Sequence, residues 1–339
     1  MFAQLREMGI SPSILSSEID SSRFPASQLL ACSFPLGRTK LAWNLQTGFT
    51  LRNWLKEIPY NEKVVFHGLS NLNLPLVKLP KNVVTVLTVH DIIPLIARET
   101  VSFSYFLQFS LLLPRILDIA DRVVCVSNWT RETLVEKFPK VTEKTTVISN
   151  GFEKNQFVDY GKASSSDFYS LLCVSRWEKY KRLWILPEVL KILPNVKLTI
   201  VTDKRGREFF KKNHAGFLST GKLQVIGDLD SASLNSLYSQ ADVLVHPSLW
   251  EGHCLPASEA LGHGIPVVYC AGSGIGETVQ YCGISLDREA SYEMWAEGVI
   301  SACKLRYTSK FFEKVKTLVS SKPTWRESAF QLKELYNSL

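Results

Sequence analysis

Residues 241–268, reading ADVLVHPSLWEGHCLPASEALGHGIPVV, constrain the local fold more tightly than any other stretch of the chain. The apolar run 243–245 reads as a buried strand, and it enters a loop marked by Pro247 and Gly252. An Ala/Leu-rich helical pattern leaves that loop and gives way to a second strand-like run at 266–269. Strand, tight loop and helix N-terminus in succession expose unpaired backbone N–H groups, a setting that favours an anion. Glu251 and Glu259, with seven residues between them, add one carboxylate at the loop mouth and another further along the helix. A ligand carrying both a phosphate and sugar hydroxyls suits that combination.

The same alternation runs through the chain. Short apolar runs at 12–15, 64–67, 83–89, 122–127 and 145–148 read as strands, and a second series follows at 170–175, 197–202, 223–226, 243–246 and 266–269. Helical patterns lie between them at 130–138, 183–192, 231–240 and 257–262. Strands alternating with helices predict an α/β class with parallel sheets covered on both faces. A chain of 339 residues has room for two such domains, and the polar, aperiodic stretch 150–166 is the candidate boundary. The expected division is residues 1–155, residues 156–322 and a final helix over 323–339 with Pro323 near its start. Two doubly wound domains predict a ligand cleft between them, at the C-terminal ends of the strands.

Composition excludes more than it assigns. The net charge of +7 is spread along the chain without a basic run or a basic–aromatic module, so nucleic acid is not an expected partner. Seven cysteines form no CxxC pair, and several sit in strand-like runs, as buried free thiols of a reducing compartment do. No secretion signal is visible, and no apolar run reaches the roughly 18–20 residues that span a bilayer. The nearest, 101–117, is broken by Gln108, Pro114 and Arg115 and reads as a buried or interfacial helix. The expected location is cytoplasmic, with room for peripheral contact at the inner face of a membrane.

A second chemical feature opens the second domain. Arg176 follows a strand-like LLCVS run, and Lys181 and Arg182 precede the helical pattern 183–192. Arg176 and Lys181 are placed to meet a diphosphate, although the same spacing fits a solvated basic turn. His246, His253, Cys254 and His263 cluster in sequence but match no usual zinc spacing. Trp177, Trp184 and Trp250 read as packing or cleft walls, with Trp250 equally suited to stacking on a sugar.

The ordered set SRWEKYK, DLDSASLNSLYSQADVLVHPSLWEGHCLPASEAL, GHGIPVV and GIGETV resembles retaining glycosyltransferase family 4. VLTVHDIIPL at 86–95, ADRVVCVSNWTRETL at 120–134 and TTVISNG at 145–151 agree with it, so the resemblance runs from about residue 64 onwards. It implies the GT-B fold, two Rossmann-like parallel-sheet domains facing a central cleft, and sugar transfer with retention of configuration. It implies that Arg176 and Lys181 hold the donor diphosphate, that Glu251 contacts the transferred sugar and that Glu259 binds the ribose. The backbone of Gly252, His253, Cys254 and Leu255 would cradle the sugar and distal phosphate, and Ile226, Gly227 and Asp228 fall where the family holds the base. His90 matches the histidine that meets the reacting sugar from the first domain, and Glu277 matches an acidic position beyond the site. No cofactor or metal is implied beyond the nucleotide-sugar donor.

Three departures stand out. The chain opens on a segment resembling the helix and strand that follow the family's Gly-rich loop, so the first domain is expected to lack its opening strand. The usual EGFG loop reads EGHC, which predicts that Cys254 imposes a non-glycine conformation. Arg182 stands where a glycine commonly follows the lysine. The expected activity is hexose transfer, mannose from GDP-mannose first and a UDP-sugar second, to a glycan or lipid-linked acceptor. The alternatives are a catalytically reduced accessory GT-B protein, or another sugar-nucleotide enzyme of the same fold such as an epimerase.

Overall fold

The structure is a computed structural model that describes residues 2–10, 14–16, 29–31, 60–61, 63–77, 79–152, 168–227 and 229–339. The chain divides into two compact units, Met1–Gly151 with Trp325–Leu339, and Phe152–Thr324.

In the first unit, β1 (Ile14–Ser16) pairs with β2 (Leu29–Ala31), and a separate four-stranded sheet holds β3 (Val64–Gly68), β4 (Val83–Val89), β5 (Arg122–Cys125) and β6 (Thr145–Val147). All the pairings are parallel and the four-stranded sheet follows chain order. The helix Phe103–Ile119, capped by Ser102, covers this sheet with Phe109, Leu112, Leu113, Ile116 and Leu117. The final helix, Trp325–Asn337, also belongs to this unit. Its Ala329 and Leu332 pack with Leu5, Val86 and Val124, while Ser328 Oγ donates to the Ser149 carbonyl at 2.8 Å. Tyr336 lies 2.6 Å from Nδ1 of His67, and burial holds that imidazole down at about 4.

The second unit is a six-stranded parallel sheet built from β7 (Tyr169–Val174), β8 (Val196–Val201), β9 (Leu223–Ile226), β10 (Val243–His246), β11 (Val267–Cys270) and β12 (Gly283–Leu286). Its spatial order is β12-β11-β10-β7-β8-β9. That is the doubly wound arrangement, in which the winding reverses between the first and fourth strands of the sheet and opens a crevice beyond their C-terminal ends. Side chains alternate along the strands. Leu171, Cys173, Val243 and Val245 enter one core with Trp295, whereas Leu172 and Leu244 enter the other with Leu261 and Phe311. Helices therefore cover both faces, and every residue of β10 and β11 is buried. Among the described residues no helix is long and apolar enough to cross a membrane.

A buried polar cluster ties the β10 entry to its neighbours. Asp242, 6% exposed, accepts from the Ser170 amide at 2.7 Å and from the Tyr307 hydroxyl, and lies 3.7 Å from Nε of the buried Arg306. Arg306 also donates to the Gly264 carbonyl at 3.0 Å. Removing one partner strands the other charge away from water. Asp242→Ala is therefore expected to destabilise the second unit by roughly 3–5 kcal/mol, read by denaturant unfolding; a change under about 1 kcal/mol, the scale of a surface pair, contradicts this account.

Candidate active site

The crevice at the sheet's reversal lies beyond β7 and β10, and two loops meet there. Residues 175–182 follow β7, and Pro247, Ser248, Leu249, Trp250 and Glu251 follow β10. Lys181 Nζ lies 2.5 Å from Oε1 of Glu251, and His246 Nε2 lies 2.5 Å from the same oxygen. Burial pushes the Glu251 carboxyl up, but Lys181 and then His246 more than offset it and hold it down at about 2. Burial likewise works against the Lys181 ammonium, and Glu251 outweighs it and raises the lysine above its ordinary value. An ionised carboxylate only accepts, so Nε2 of His246 carries the hydrogen; its Nδ1 is buried and has no hydrogen-bond partner among the described residues.

The loop after β10 is held at successive positions. The Leu249 amide donates to the Tyr180 carbonyl at 2.8 Å, and Ser248 Oγ donates to the Trp250 carbonyl at 2.8 Å. The Arg288 guanidinium lies 3.5 Å from the centre of the Trp250 ring, so a cation covers one face of the ring left open between sugar stacking and rim packing. The Glu251 carbonyl accepts from the Gly274 amide at 2.8 Å. A side chain at Gly274 would sit 2.0 Å from the Gly252 carbonyl oxygen, which is why a glycine is needed at that approach.

Gly252, His253 and Cys254 are buried and lead into the helix Leu255–Gly262. Cys254 has φ 72°, in the left-handed region that favours glycine. The expectation of a non-glycine conformation is thus corrected: the packed loop fixes the backbone, and the cysteine conforms to it. His253 turns inward, its Nε2 3.1 Å from Ser258 Oγ and its carbonyl accepting from Thr278 Oγ1 at 2.5 Å. Leu255 is exposed at the first helical turn. Glu259, on the same helix, accepts from the Tyr238 hydroxyl at 2.6 Å. Burial and the Glu259 charge push that phenol well up, so it remains a donor.

Arg176 is exposed just past β7, and its side chain makes no hydrogen bond or ion pair among the described residues. Trp177 packs against Phe209, with ring centres 4.3 Å apart, and against Trp184 at 6.3 Å, so both indoles belong to packing. Ile226 closes β9, where its carbonyl accepts from the Thr202 amide at 2.8 Å. Gly227 follows beneath the Arg207 guanidinium, and Asp228 lies outside the described residues. Glu277 sits in the short helix Ile275–Val279, and its carbonyl accepts from Lys322 Nζ at 2.7 Å. His90 belongs to the first unit, where it follows β4 and is exposed; its Nε2 donates to the Leu69 carbonyl at 2.9 Å.

Within the second unit the structure therefore joins Lys181, Glu251 and the 252–255 loop in one site. His246 as a partner of Glu251 was missed in the sequence, although it is the last residue of β10 and precedes Glu251 by five positions. Ligand atoms of His246, Glu251 and Cys254 come within 4.8 Å of one another, a grouping the zinc spacing did not contain. Lys181 already places its positive charge on the Glu251 oxygen, and burial with Glu251 pushes the Cys254 thiol well up, away from the thiolate a metal would need.

Residues 1–156 match the family described as Glycosyltransferase Family 4, and residues 159–316 match Glycosyl transferases group 1. A phosphatidylinositol N-acetylglucosaminyltransferase subunit of Arabidopsis thaliana is 23% identical over 177 residues, 51% of this chain and 38% of that protein. The O-antigen chain mannosyltransferase RfbU of Salmonella typhimurium is 25% identical over 191 residues, 54% of this chain and 50% of that protein. The chain thus spans half or less of the length of these curated relatives. Among solved structures, a glycosyltransferase of Rickettsia africae superposes with TM-score 0.73 at 17% identity, covering 99% of this chain and 93% of its own. HepE of Anabaena, in complex with UDP and glucose, superposes with TM-score 0.61 at 20% identity, covering 76% and 72%.

The depressed Glu251 pKa ties the site to stability. The folded value of about 2 lies below the ordinary 4.5, so the stabilising contribution is complete above pH 4.5 and is lost as pH falls towards 2. Wild type is expected to exceed Glu251→Gln at neutral pH by on the order of 3 kcal/mol, with the two converging near the acid end. Parallel unfolding curves across that range contradict the assignment.

Proposed function

The chain belongs to the family-4-like GT-B glycosyltransferases, and from that premise we propose that it transfers a hexose from a nucleotide-sugar to a glycan or lipid-linked acceptor with retention of configuration. The donor favoured is GDP-mannose, with a UDP-sugar second. The mannosyltransferase RfbU among the relatives supports the first choice, and HepE, solved with UDP and glucose, supports the second.

The observation that carries this reading is the pairing of a half-buried Lys181 with a buried Glu251 at the sheet's reversal, with an exposed Arg176 on the same loop as the lysine. In the proposed reaction the bond between the sugar's anomeric carbon and the diphosphate oxygen breaks, and the nucleoside diphosphate leaves with its negative charge. Arg176, Lys181 and the N–H groups at the start of helix Leu255–Gly262 stabilise that charge as it develops. The acceptor hydroxyl attacks the anomeric carbon from the face the diphosphate leaves, and its proton passes to the departing phosphate oxygen. Glu251 offers a carboxylate to the transferred sugar, with both of its close partners on Oε1. Glu259 holds the ribose, Ile226 and Gly227 border the base, and a catalytic role for His90, in the first unit, is carried over from the family resemblance alone. Fixed cations stand in for a metal, so transfer is proposed to be metal-independent.

The acceptor side draws support from the helix Phe103–Ile119, whose face opposite the buried residues leaves Phe103, Leu107 and Leu111 exposed. We propose that this face rests on a lipid surface. Co-sedimentation with phospholipid vesicles is expected for wild type and reduced for Leu107→Glu with Leu111→Glu; equal sedimentation removes that contact.

The donor is tested by thermal shift with UDP, GDP and ADP, because a ligand bound only to the folded state raises its stability. A shift of about 4 °C or more with GDP, corresponding to roughly 1–3 kcal/mol of linkage, supports the mannose reading, and a UDP response moves it to the second donor. Glu251→Ala is expected to keep nucleotide binding while transfer falls, and Arg176→Ala to lose roughly 2–4 kcal/mol of transition-state stabilisation in kcat/KM. Transfer should survive a chelator. No response to any nucleotide overturns the enzyme reading.

A further inference from the structure

We propose that Arg182 is a positioning residue: its guanidinium clamps the loop 247–251 and thereby fixes where Glu251 presents its carboxylate. This deepens the donor-site reading above and rests on it only for what that carboxylate does.

The backbone gives the first indication. Arg182 has φ 49° and ψ 32°, one of three non-glycine residues with positive φ among the described residues. A left-handed conformation is strained for an arginine, and a glycine would hold it freely. Strain of this kind persists only where the surroundings hold it.

The side chain shows what holds it. Nε donates to the Pro247 carbonyl at 3.0 Å, Nη1 to the Arg288 carbonyl at 2.8 Å, and Nη2 reaches Cys270 Sγ at 2.8 Å. Pro247 follows β10, Cys270 ends β11 and Arg288 comes just after β12. One planar fork therefore spans the C-terminal ends of three neighbouring strands from the loop that follows β7, across the sheet's reversal. A lysine, with a single compact ammonium, has no means of satisfying three such directions.

The position in sequence makes the clamp specific to Glu251. Lys181 holds the carboxylate at the far end of the loop while Arg182 holds Pro247 at its near end, so two consecutive residues grip both ends. The Arg288 carbonyl that Arg182 secures belongs to the residue whose own guanidinium covers Trp250, immediately before Glu251. The loop is thus fixed by a side chain at the very position where the family resemblance expects none.

Arg182→Gly separates the clamp from the fold, because it removes the guanidinium and relieves the backbone strain together. Arg182→Ala removes the guanidinium and keeps the strain. Hydrogen exchange of the unliganded protein is expected to show the Leu249 and Trp250 amides opening roughly tenfold faster or more in both variants, the scale of a lost charged hydrogen bond. The β10 and β11 amides should stay near wild type in Arg182→Gly, with the unfolding temperature unchanged or higher. Loop exchange equal to wild type overturns the proposal, and so does a rise that merely follows a uniform loss of protection across the unit. In parallel, calorimetry with UDP and GDP and turnover of UDP-glucose and GDP-mannose should show near-normal nucleotide affinity, with kcat reduced about tenfold or more at similar KM. A wild type that binds neither UDP nor GDP sinks the donor reading, and the exchange result still decides for or against Arg182. Unchanged kcat in a wild-type-active enzyme overturns the positioning role even if the loop loosens.

Discussion

Two groups meeting on one carboxylate oxygen of Glu251 set the terms for the second unit. Ionised Glu251 is largely withdrawn from bulk water, and a buried charge is tolerated only when partners replace its hydration. Lys181 and His246 do so from opposite sides of the sheet's reversal, one from the loop after β7 and the other from the end of β10. Those two strands are far apart in sequence and adjacent in space because the winding changes direction between them. Local order follows from that meeting: Leu249 is tied to Tyr180, the Glu251 carbonyl to Gly274, and the helix Leu255–Gly262 starts where the pinned loop delivers it.

Much of this was legible in the residues. The strands at 83–89, 223–226 and 243–246 match β4, β9 and β10 to the residue, because apolar runs there end on polar or glycine punctuation. Strand β12 carries little strand signal, because GISL begins on a glycine and has a single β-branched residue, and β2 carries none because LLA is too short to show a period. The helix expected over 183–192 begins as a 3-10 turn, Leu183–Ile185, before the α-helix Leu186–Ile192. At the site, spacing marked Lys181 and Glu251 separately. Their pairing across 70 residues is a tertiary fact that no window of sequence contains. In the sequence His246 is one of several nearby histidines, and its pairing with Glu251 depends on β10 ending at that residue.

Arg182 and Cys254 share a lesson about substitution at glycine positions. Both stand where the family resemblance places glycine, and both keep the left-handed backbone that glycine adopts without strain. Backbone path is therefore what the site's geometry holds fixed, and side-chain identity yields to it. The surroundings differ in how they compensate. Arg182 gains three hydrogen-bonding partners, whereas Cys254 gains burial among Ala257, Leu261 and Ile275. Local rules fail in the same few places where the site is built, as expected where function and packing compete.

The helix Trp325–Asn337 carries a consequence for the order in which the protein takes shape. It completes the core around Leu5, Val86 and Val124, yet it follows the whole of the second unit along the chain. Emerging from the ribosome, the second unit has all of its sequence available first, as one continuous segment. The unit that starts earlier must wait, with the cluster around Leu5, Val86 and Val124 incomplete, for residues made about 170 positions later. A nascent chain of this protein therefore holds an unfinished apolar face in reserve until that helix is made, and the interval is where a chaperone would find it.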